Sequence, residues 1–290
     1  MKILVTGGLG LLAHSLREQA GADLTLACFD LPDLDLTQPD TLVRHLDAFR
    51  PEVVINTAAY NLVDRCEQER DLSWAVNADG PRTLARLCAE RGCRLVHYSS
   101  DYVFDGAKST PYVEADAPNP LNHYGAGKLA GEQAVLAASP RNLVLRTSWL
   151  FGPHPTQTKT YLHTVLRLAA AGNALKATTD QASAPTFSPD LARWTWALVR
   201  RDASGLFHAV NDEGLSRFDW TLAILECARE SGRLTTVPPV EGVPTAYFTS
   251  TMKRPGYTVL GNGKLAGLLG EPCGSWRPGM RKMLAADWRG

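Results

Sequence analysis

Short runs of consecutive apolar residues alternate with segments of helical period along the first half of the chain. KILVT (2–6), LTLACF (24–29), EVVINTA (52–58), RLVHYSS (94–100) and NLVLRTS (142–148) are apolar at neighbouring rather than alternate positions. A strand of this kind is buried on both faces, as in a parallel sheet covered by helices. Helical spacing between the runs predicts helices near 11–20, 39–49, 71–92 and 124–138. Strand and helix in strict alternation imply right-handed crossovers and an α/β fold, a doubly wound parallel sheet.

The second half is less regular. Leu162, Val165, Leu166 and Leu168 predict a helix over 161–171, and Pro189 stands near the start of another over 189–201. GLFHAVN (205–211) reads as a strand, and a helix near 216–230 precedes a Pro/Gly-rich tail, expected as a small irregular lobe on the sheet's edge.

Composition narrows the function classes. Of 290 residues, 44% are hydrophobic and 21% charged, ordinary values for a globular chain. Thirty Lys and Arg balance thirty Asp and Glu, so there is no basic footprint for nucleic acid. No apolar run is long enough to span a bilayer, and MKILVTGG opens a strand at once, without a secretory apolar segment. The six cysteines, at 28, 66, 88, 93, 227 and 273, form no C-x-x-C, and no histidine cluster has metal-ligand spacing. They read as small buried hydrophobes in a reducing compartment, so a cytoplasmic protein without a metal site is expected.

VTGGLGLLAHSL follows the first strand and opens the first helix. It parses as Gly8-x-Gly10-x-x-Ala13 or equally as Gly7-x-x-Gly10-x-x-Ala13. Either way, glycines allow a tight turn, and backbone N–H groups at the helix start near Leu11 face a dinucleotide pyrophosphate. Asp30, ending the second strand, is placed to bind an adenosine ribose hydroxyl. No arginine stands beside it in CFDLPDLDL, which favours NADH at least as much as NADPH. Asp35 with Leu36 is placed to meet the adenine edge. The competing reading of both aspartates is loop and helix-cap chemistry. Residues 1–150 plus about 176–210 are thus expected as a Rossmann dinucleotide-binding domain. About 151–175 plus 211–290 are expected as a smaller C-terminal substrate lobe.

YGAGKLAGE (124–132) carries a second constellation. Tyr124 and Lys128 are four apart, one turn along one helix face. An ammonium beside a phenol favours phenolate and lowers the tyrosine pKa from roughly 10. Gly125 and Gly127 would let substrate and ribose approach the backbone. The competing reading is a solvated surface pair.

The glycine loop, NTAAY (56–60), VNADGP (76–81), SSDYVFDG (99–106), YGAGKLAGE and LRTSWLFG (145–152) stand in the order of an extended short-chain dehydrogenase/reductase. Their wording resembles the dTDP-4-dehydrorhamnose reductases. DQASAPT (180–186), DLA (190–192), GLFHAVN and RPGYTVLGNGKL (254–265) carry the likeness nearly to the C-terminus. The resemblance implies NADH- or NADPH-dependent reduction of the C4 ketone of a nucleotide-linked 4-keto-6-deoxy sugar. In it, Tyr124 is the general acid, Lys128 its pKa-lowering partner, and Ser100 (where the family usually has threonine) the hydroxyl that holds the substrate carbonyl. Tyr124 and Lys128 would also touch the nicotinamide half of the cofactor. Tyr102 and Trp149 would line the substrate pocket. Ala58, Ala59 and Tyr60 would border the cofactor, and Asn77 would hold the helix backbone near the lysine. The partner is a nucleotide sugar; a homodimer is left open, and neither nucleic acid nor membrane is expected.

The sequence also departs from the pattern. Ala13 replaces the third glycine, Ser183 a usual glycine, Thr160-Tyr161 an asparagine-phenylalanine, and Arg217 a usual aromatic. Among other readings, dehydration would need an acid pair, but Asp101 is followed by Tyr102. An epimerase or another sugar-nucleotide reductase shares the loop and the Tyr/Lys pair. A non-catalytic dinucleotide-binding subunit would be free to lose Ser100, Tyr124 and Lys128. His97 and His208 read as strand packing, and His123 stands beside Tyr124.

Overall fold

Six parallel strands form the central sheet of the computed structural model, which describes residues 1–156, 160–250 and 252–285. In chain order the first half runs β1 (Lys2–Thr6), α1 (Leu11–Glu18), β2 (Thr25–Phe29), α2 (Pro39–Phe49), β3 (Val53–Asn56), α3 (Arg70–Trp74), α4 (Gly80–Glu90), β4 (Arg94–Ser100), α5 (His123–Ala138) and β5 (Leu143–Thr147). The second half runs β6 (Leu150–Phe151), α6 (Tyr161–Ala170), β7 (Leu175–Thr178), β8 (Ala182–Ser183), β9 (Thr186–Phe187), α7 (Ser188–Arg200), β10 (Gly205–His208), β11 (Leu215–Ser216), α8 (Arg217–Glu230), β12 (Val240–Val243), α9 (Gly263–Leu269) and α10 (Arg277–Ala285).

The sheet order is β10-β5-β4-β3-β1-β2. The chain leaves β1 for β2 on one side and returns to β3 on the other, so the strand order reverses between β1 and β3. A crevice opens at such a reversal, beyond the carboxyl ends of the strands. Register shapes it. Thr6 pairs with Phe29 and Asn56, but Asn56 pairs with His97, so β4 runs three residues past β3 and carries Ser100 level with Thr147 of β5.

The continuous apolar runs are buried as their pattern predicts. Ile3, Val5, Ile55, Val96, Leu143 and Leu145 pack on one side with Leu12 and Leu16 of α1 and Trp194, Trp196 and Leu198 of α7. Leu4, Val54, Leu95 and Val144 pack on the other with Leu42 and Leu46 of α2 and Leu84 and Leu87 of α4. A separate core joins Leu162, Val165 and Leu166 of α6, Trp220 and Ile224 of α8, and Met280 and Met283 of α10; β7 pairs with β12 beside it. The tail holds more regular structure than its Pro/Gly content suggests: Leu265 of α9 joins the sheet core, and Gly270 closes that helix at φ +79°.

The helix expected over 71–92 is broken. Residues Ala75–Asp79 form a π-turn between α3 and α4. Pro81 has no N–H to offer the Asn77 carbonyl, and its ring would crowd that oxygen in a straight helix. The wider turn accommodates both.

Candidate active site

A cleft of about 850 Å³ lies over the carboxyl ends of the strands, bounded by Gly10 and Leu11 after β1, Ala58 and Ala59 after β3, Ser99 and Ser100 of β4, Thr147 of β5, and Arg217 and Trp220 of α8. Ser100, Tyr124 and Lys128 all line it. The sequence brings Tyr124 and Lys128 there by starting α5 at its mouth. Asn122 caps the helix, its Oδ1 accepting the Gly125 N–H at 2.8 Å, while its Nδ2 donates to the Lys253 carbonyl at 3.1 Å.

Lys128 is 3% exposed, and its Nζ donates to the Tyr98 carbonyl at 2.6 Å. Burial pushes its pKa down to about 8, against the pull of Glu132. The expected lowering of Tyr124 by this ammonium does not set its shift. Burial pushes the phenol well up, with the charges of Asp101, Cys66 and Tyr102 adding to it and the Ser100 hydroxyl opposing. Tyr124 therefore holds its proton throughout the neutral range, the form a proton donor needs.

The glycines of α5 have a different use from the one expected. A Cβ on Gly125 would strike the Tyr102 carbonyl; one on Gly127 would come within 3.3 Å of Asn77 Cβ; one on Gly131 would strike the Asn77 carbonyl. They let α5 press against the π-turn and the segment after β4, rather than making room for a ligand. The carbonyl that Pro81 leaves without its helical amide is the one that Gly131 admits. Asn77 turns its side chain the other way, bonding both the N–H and the carbonyl of Tyr60 at 3.0 and 2.9 Å. It thus holds the loop after β3 by hydrogen bonds and meets α5 only by packing.

Ser100 Oγ donates to Asp101 Oδ1 at 2.9 Å and accepts the Tyr102 N–H at 3.2 Å. Asp101 is buried, and its Oδ2 accepts the hydroxyls of Ser183 at 2.9 Å and Thr258 at 2.6 Å. Burial raises the Asp101 pKa; the three hydroxyls and the Arg217 charge oppose it. Ser183, which departs from the family's glycine, is therefore one of three donors that make this buried carboxylate tolerable.

On the other side of the cleft the glycine loop forms a cradle. Gly7 has φ +67°, and a Cβ there would lie 2.8 Å from the Ala58 nitrogen. Gly8 lies against the end of β2, where a Cβ would meet Cys28 and Phe29 atoms at 3.0 Å. The Gly10 N–H closes the turn on the Gly7 carbonyl at 2.9 Å. Gly7 is required by its positive φ and its approach to Ala58, while a Cβ on Gly8 or Gly10 would make tight contacts of 3.0 Å, so each glycine of both readings has a place in the turn. Gly10 caps α1 without a side chain, leaving the first-turn backbone facing the cleft. This cradle fits a dinucleotide pyrophosphate.

The other cofactor candidates divide. Ala58 and Ala59 line the cleft; Gly7, Asp30, Asp35, Leu36, Tyr60 and Asn77 do not. Asp30 Oδ2 accepts the Leu9 N–H and Oδ1 the Leu31 N–H, each at 2.8 Å, so it braces the glycine loop. Asp35 Oδ1 accepts the N–H and hydroxyl of Thr37, both at 2.8 Å, the turn chemistry weighed against a ligand role. Leu36 is 5% exposed and packs in the sheet core. Tyr60 donates its hydroxyl to Glu69. His97 and His208 are buried, as strand packing requires, and the His123 N–H donates to Glu67 Oε1 at 2.7 Å.

Tyr102 and Trp149 also line the cleft. Tyr102 packs edge-on to Tyr124 and accepts from Arg254 Nη1 at 3.2 Å; Arg254 also pairs with Asp64 at 2.7 Å. Trp149 sits at φ +39°, unusual for a bulky side chain, and stacks near Trp220. Arg217 lies 3.5 Å over its ring. Arg217, Arg254, Asp101 and Thr258 were not assigned site roles from sequence. Asp101 is local, the neighbour of Ser100, and Arg217 is marked by its departure from the family pattern; Arg254 and Thr258 are brought in by long-range contacts.

The RmlD substrate binding domain family matches residues 1–288. A dTDP-4-dehydrorhamnose reductase of Mycobacterium tuberculosis is 37% identical over 98% of this chain and 93% of its own. A Streptomyces antibioticus protein, described as a probable dTDP-4,6-dihydroxy-2-methyloxan-3-one 4-ketoreductase, is 36% identical over 99% of this chain and 97% of its own. The crystal structure of a Bacillus anthracis dTDP-4-dehydrorhamnose reductase in complex with NADP superposes with a TM-score of 0.90 at 31% identity, covering 97% of this chain and 98% of that one.

Proposed function

The chain belongs to the dTDP-4-dehydrorhamnose reductase family, and on that premise we propose that it reduces the C4 ketone of dTDP-4-dehydro-L-rhamnose to give dTDP-L-rhamnose. The observation that carries this is the meeting of Tyr124, Ser100 and Lys128 in one cleft that the glycine loop also borders at Gly10. The bound reduced nicotinamide dinucleotide supplies the hydride.

The chain's own residues supply the rest. Gly7 and Gly8 seat the loop against the segment after β3 and the end of β2, and Gly10 with the start of α1 would face the pyrophosphate. Ala58 and Ala59, with no bulk beyond Cβ, leave the middle of the cleft open. Tyr124 donates its proton to the C4 oxygen as the carbonyl pair moves onto that oxygen. Lys128, fixed by the Tyr98 carbonyl, carries the positive charge that steadies the phenolate left behind. Ser100 orients the carbonyl oxygen. Its hydrogen rests on Asp101, which keeps Ser183 and Thr258 as donors when Ser100 turns to substrate. The second core, around α6, α8 and α10, forms the substrate lobe in this reading. Six free cysteines suit a reducing compartment, the cytoplasm.

The test follows loss of reduced-nicotinamide absorbance with dTDP-4-dehydro-L-rhamnose, and in parallel with a dTDP-4-keto sugar of the kind named for the Streptomyces antibioticus relative. Faster turnover of the rhamnose precursor supports the assignment. Turnover of only the second substrate keeps the chemistry and changes the sugar; turnover of neither overturns the proposal.

A further inference from the structure

We infer that Arg217 is the diphosphate-binding cation of this cleft, a role that rests on the substrate being a nucleoside-diphosphate sugar. Arg217 opens α8, just past the Ser216 cap, at a position read above as usually aromatic in the family. Its guanidinium lies 3.5 Å over the Trp149 ring, 4.4 Å from that of Tyr161 and 5.3 Å from that of Trp220.

Three aromatic rings hold the group in place without neutralising it. Among the described residues no carboxylate pairs with it. The nearest acid it influences is Asp101, whose oxygens already accept three hydroxyls. A planar guanidinium with five donors, stacked on a ring and left without an anion, suits bidentate recognition of phosphate oxygens. The other two cations lining the cleft are by contrast partnered, Arg254 by Asp64 and the Tyr102 hydroxyl and Lys128 by the Tyr98 carbonyl. An uncompensated charge half-buried among rings is costly, and burial lowers the Arg217 pKa to about 10. A dianionic ligand offsets that cost.

Diphosphate reaches the cleft from two sources, the nucleotide sugar and the dinucleotide cofactor. The glycine cradle at the start of α1 serves the cofactor, whereas Arg217 stacks on rings of the separate core around α6, α8 and α10, so it takes the sugar nucleotide. At the positions of Arg217 and Tyr161 this chain differs from its family pattern, and the two side chains touch. The departure at Arg217 thus places a cation on an aromatic ring.

The experiment titrates full-length protein with dTDP, UDP, thymidine and NADPH by calorimetry, for the unaltered chain, Arg217→Met and Arg217→Lys. Arg217→Met keeps the reach and apolar contact but removes the charge; loss of a charge-assisted pair is worth roughly 10- to 100-fold in affinity. The expected result is that fall for dTDP, partial recovery in Arg217→Lys, and NADPH and thymidine affinities unchanged within about twofold. If Arg217→Met has a lowered melting temperature, Arg217→Gln with an unchanged one gives the same comparison. Unchanged dTDP affinity in a folded charge-free variant overturns the inference while leaving the reductase reading intact. A loss confined to NADPH also overturns it. Charge-dependent binding of UDP but not dTDP supports the diphosphate role of Arg217 and removes the thymidine nucleotide from the proposed function. If the unaltered chain binds neither diphosphate, both readings fall.

Discussion

The Lys128 ammonium donates to the Tyr98 carbonyl at 2.6 Å, tying α5 to the end of β4 through a charge that burial disfavours. At neutral pH the group is charged in the folded and unfolded chain alike, so the folded state bears the full cost. With a pKa of about 8 folded and 10.5 unfolded, the folded chain releases this proton first, and stability from this residue rises with pH between those values. The interval corresponds to a cost on the order of 3 kcal/mol below about pH 8. Lys128→Met should therefore gain most in stability relative to the unaltered chain near pH 7, and the gain should vanish toward pH 10. Thermal melts across that range test it; a difference independent of pH contradicts the assignment. Turnover should fall in the variant by on the order of 10²-fold or more, and in the unaltered chain should decline as pH rises through about 8.

Ser183 and Asp101 should be energetically coupled. Ser183→Ala removes one of three hydroxyl donors from a buried carboxylate, a loss of about 1 kcal/mol. In a chain already carrying Asp101→Ala the same change should cost close to nothing, because its partner is gone. Denaturant titration of the four proteins gives the coupling. Additive effects would mean that the 2.9 Å contact contributes nothing.

Asp30 bears on cofactor choice in two ways. Its carboxylate braces the glycine loop at Leu9, and its charge would oppose a 2′-phosphate brought near it. NADH should bind at least as tightly as NADPH. Asp30→Ala should weaken both by loosening the loop, and NADH more. Fluorescence titration of both cofactors decides; a strong NADPH preference that persists unchanged in Asp30→Ala removes the proposed role.

How far the sequence reached varies with the range of the interaction. The strands were legible because burial on both faces writes continuous apolar runs such as VVIN in β3. The glycine loop and the Tyr124/Lys128 pair were legible because each is local in the chain. What escaped depends on distant partners. Thr258 reaches Asp101 across 157 positions, and Arg254 reaches Tyr102 across 152. The break at the π-turn lies in NADGP itself, but only the fit of Gly131 against the Asn77 carbonyl shows why it is kept. The direction of the Tyr124 shift could not be read from spacing, since the four-residue interval reports a neighbouring charge and not the depth of burial.

Tyr124→Phe tests the central claim most directly, because it keeps the ring and its packing against Tyr102 and deletes only the proton donor. The variant should fold and bind reduced cofactor as the unaltered chain does, while kcat for a dTDP-4-keto-6-deoxy sugar falls by about 10²–10⁴-fold. Undiminished turnover in Tyr124→Phe would show that this phenol is not the acid of the reaction.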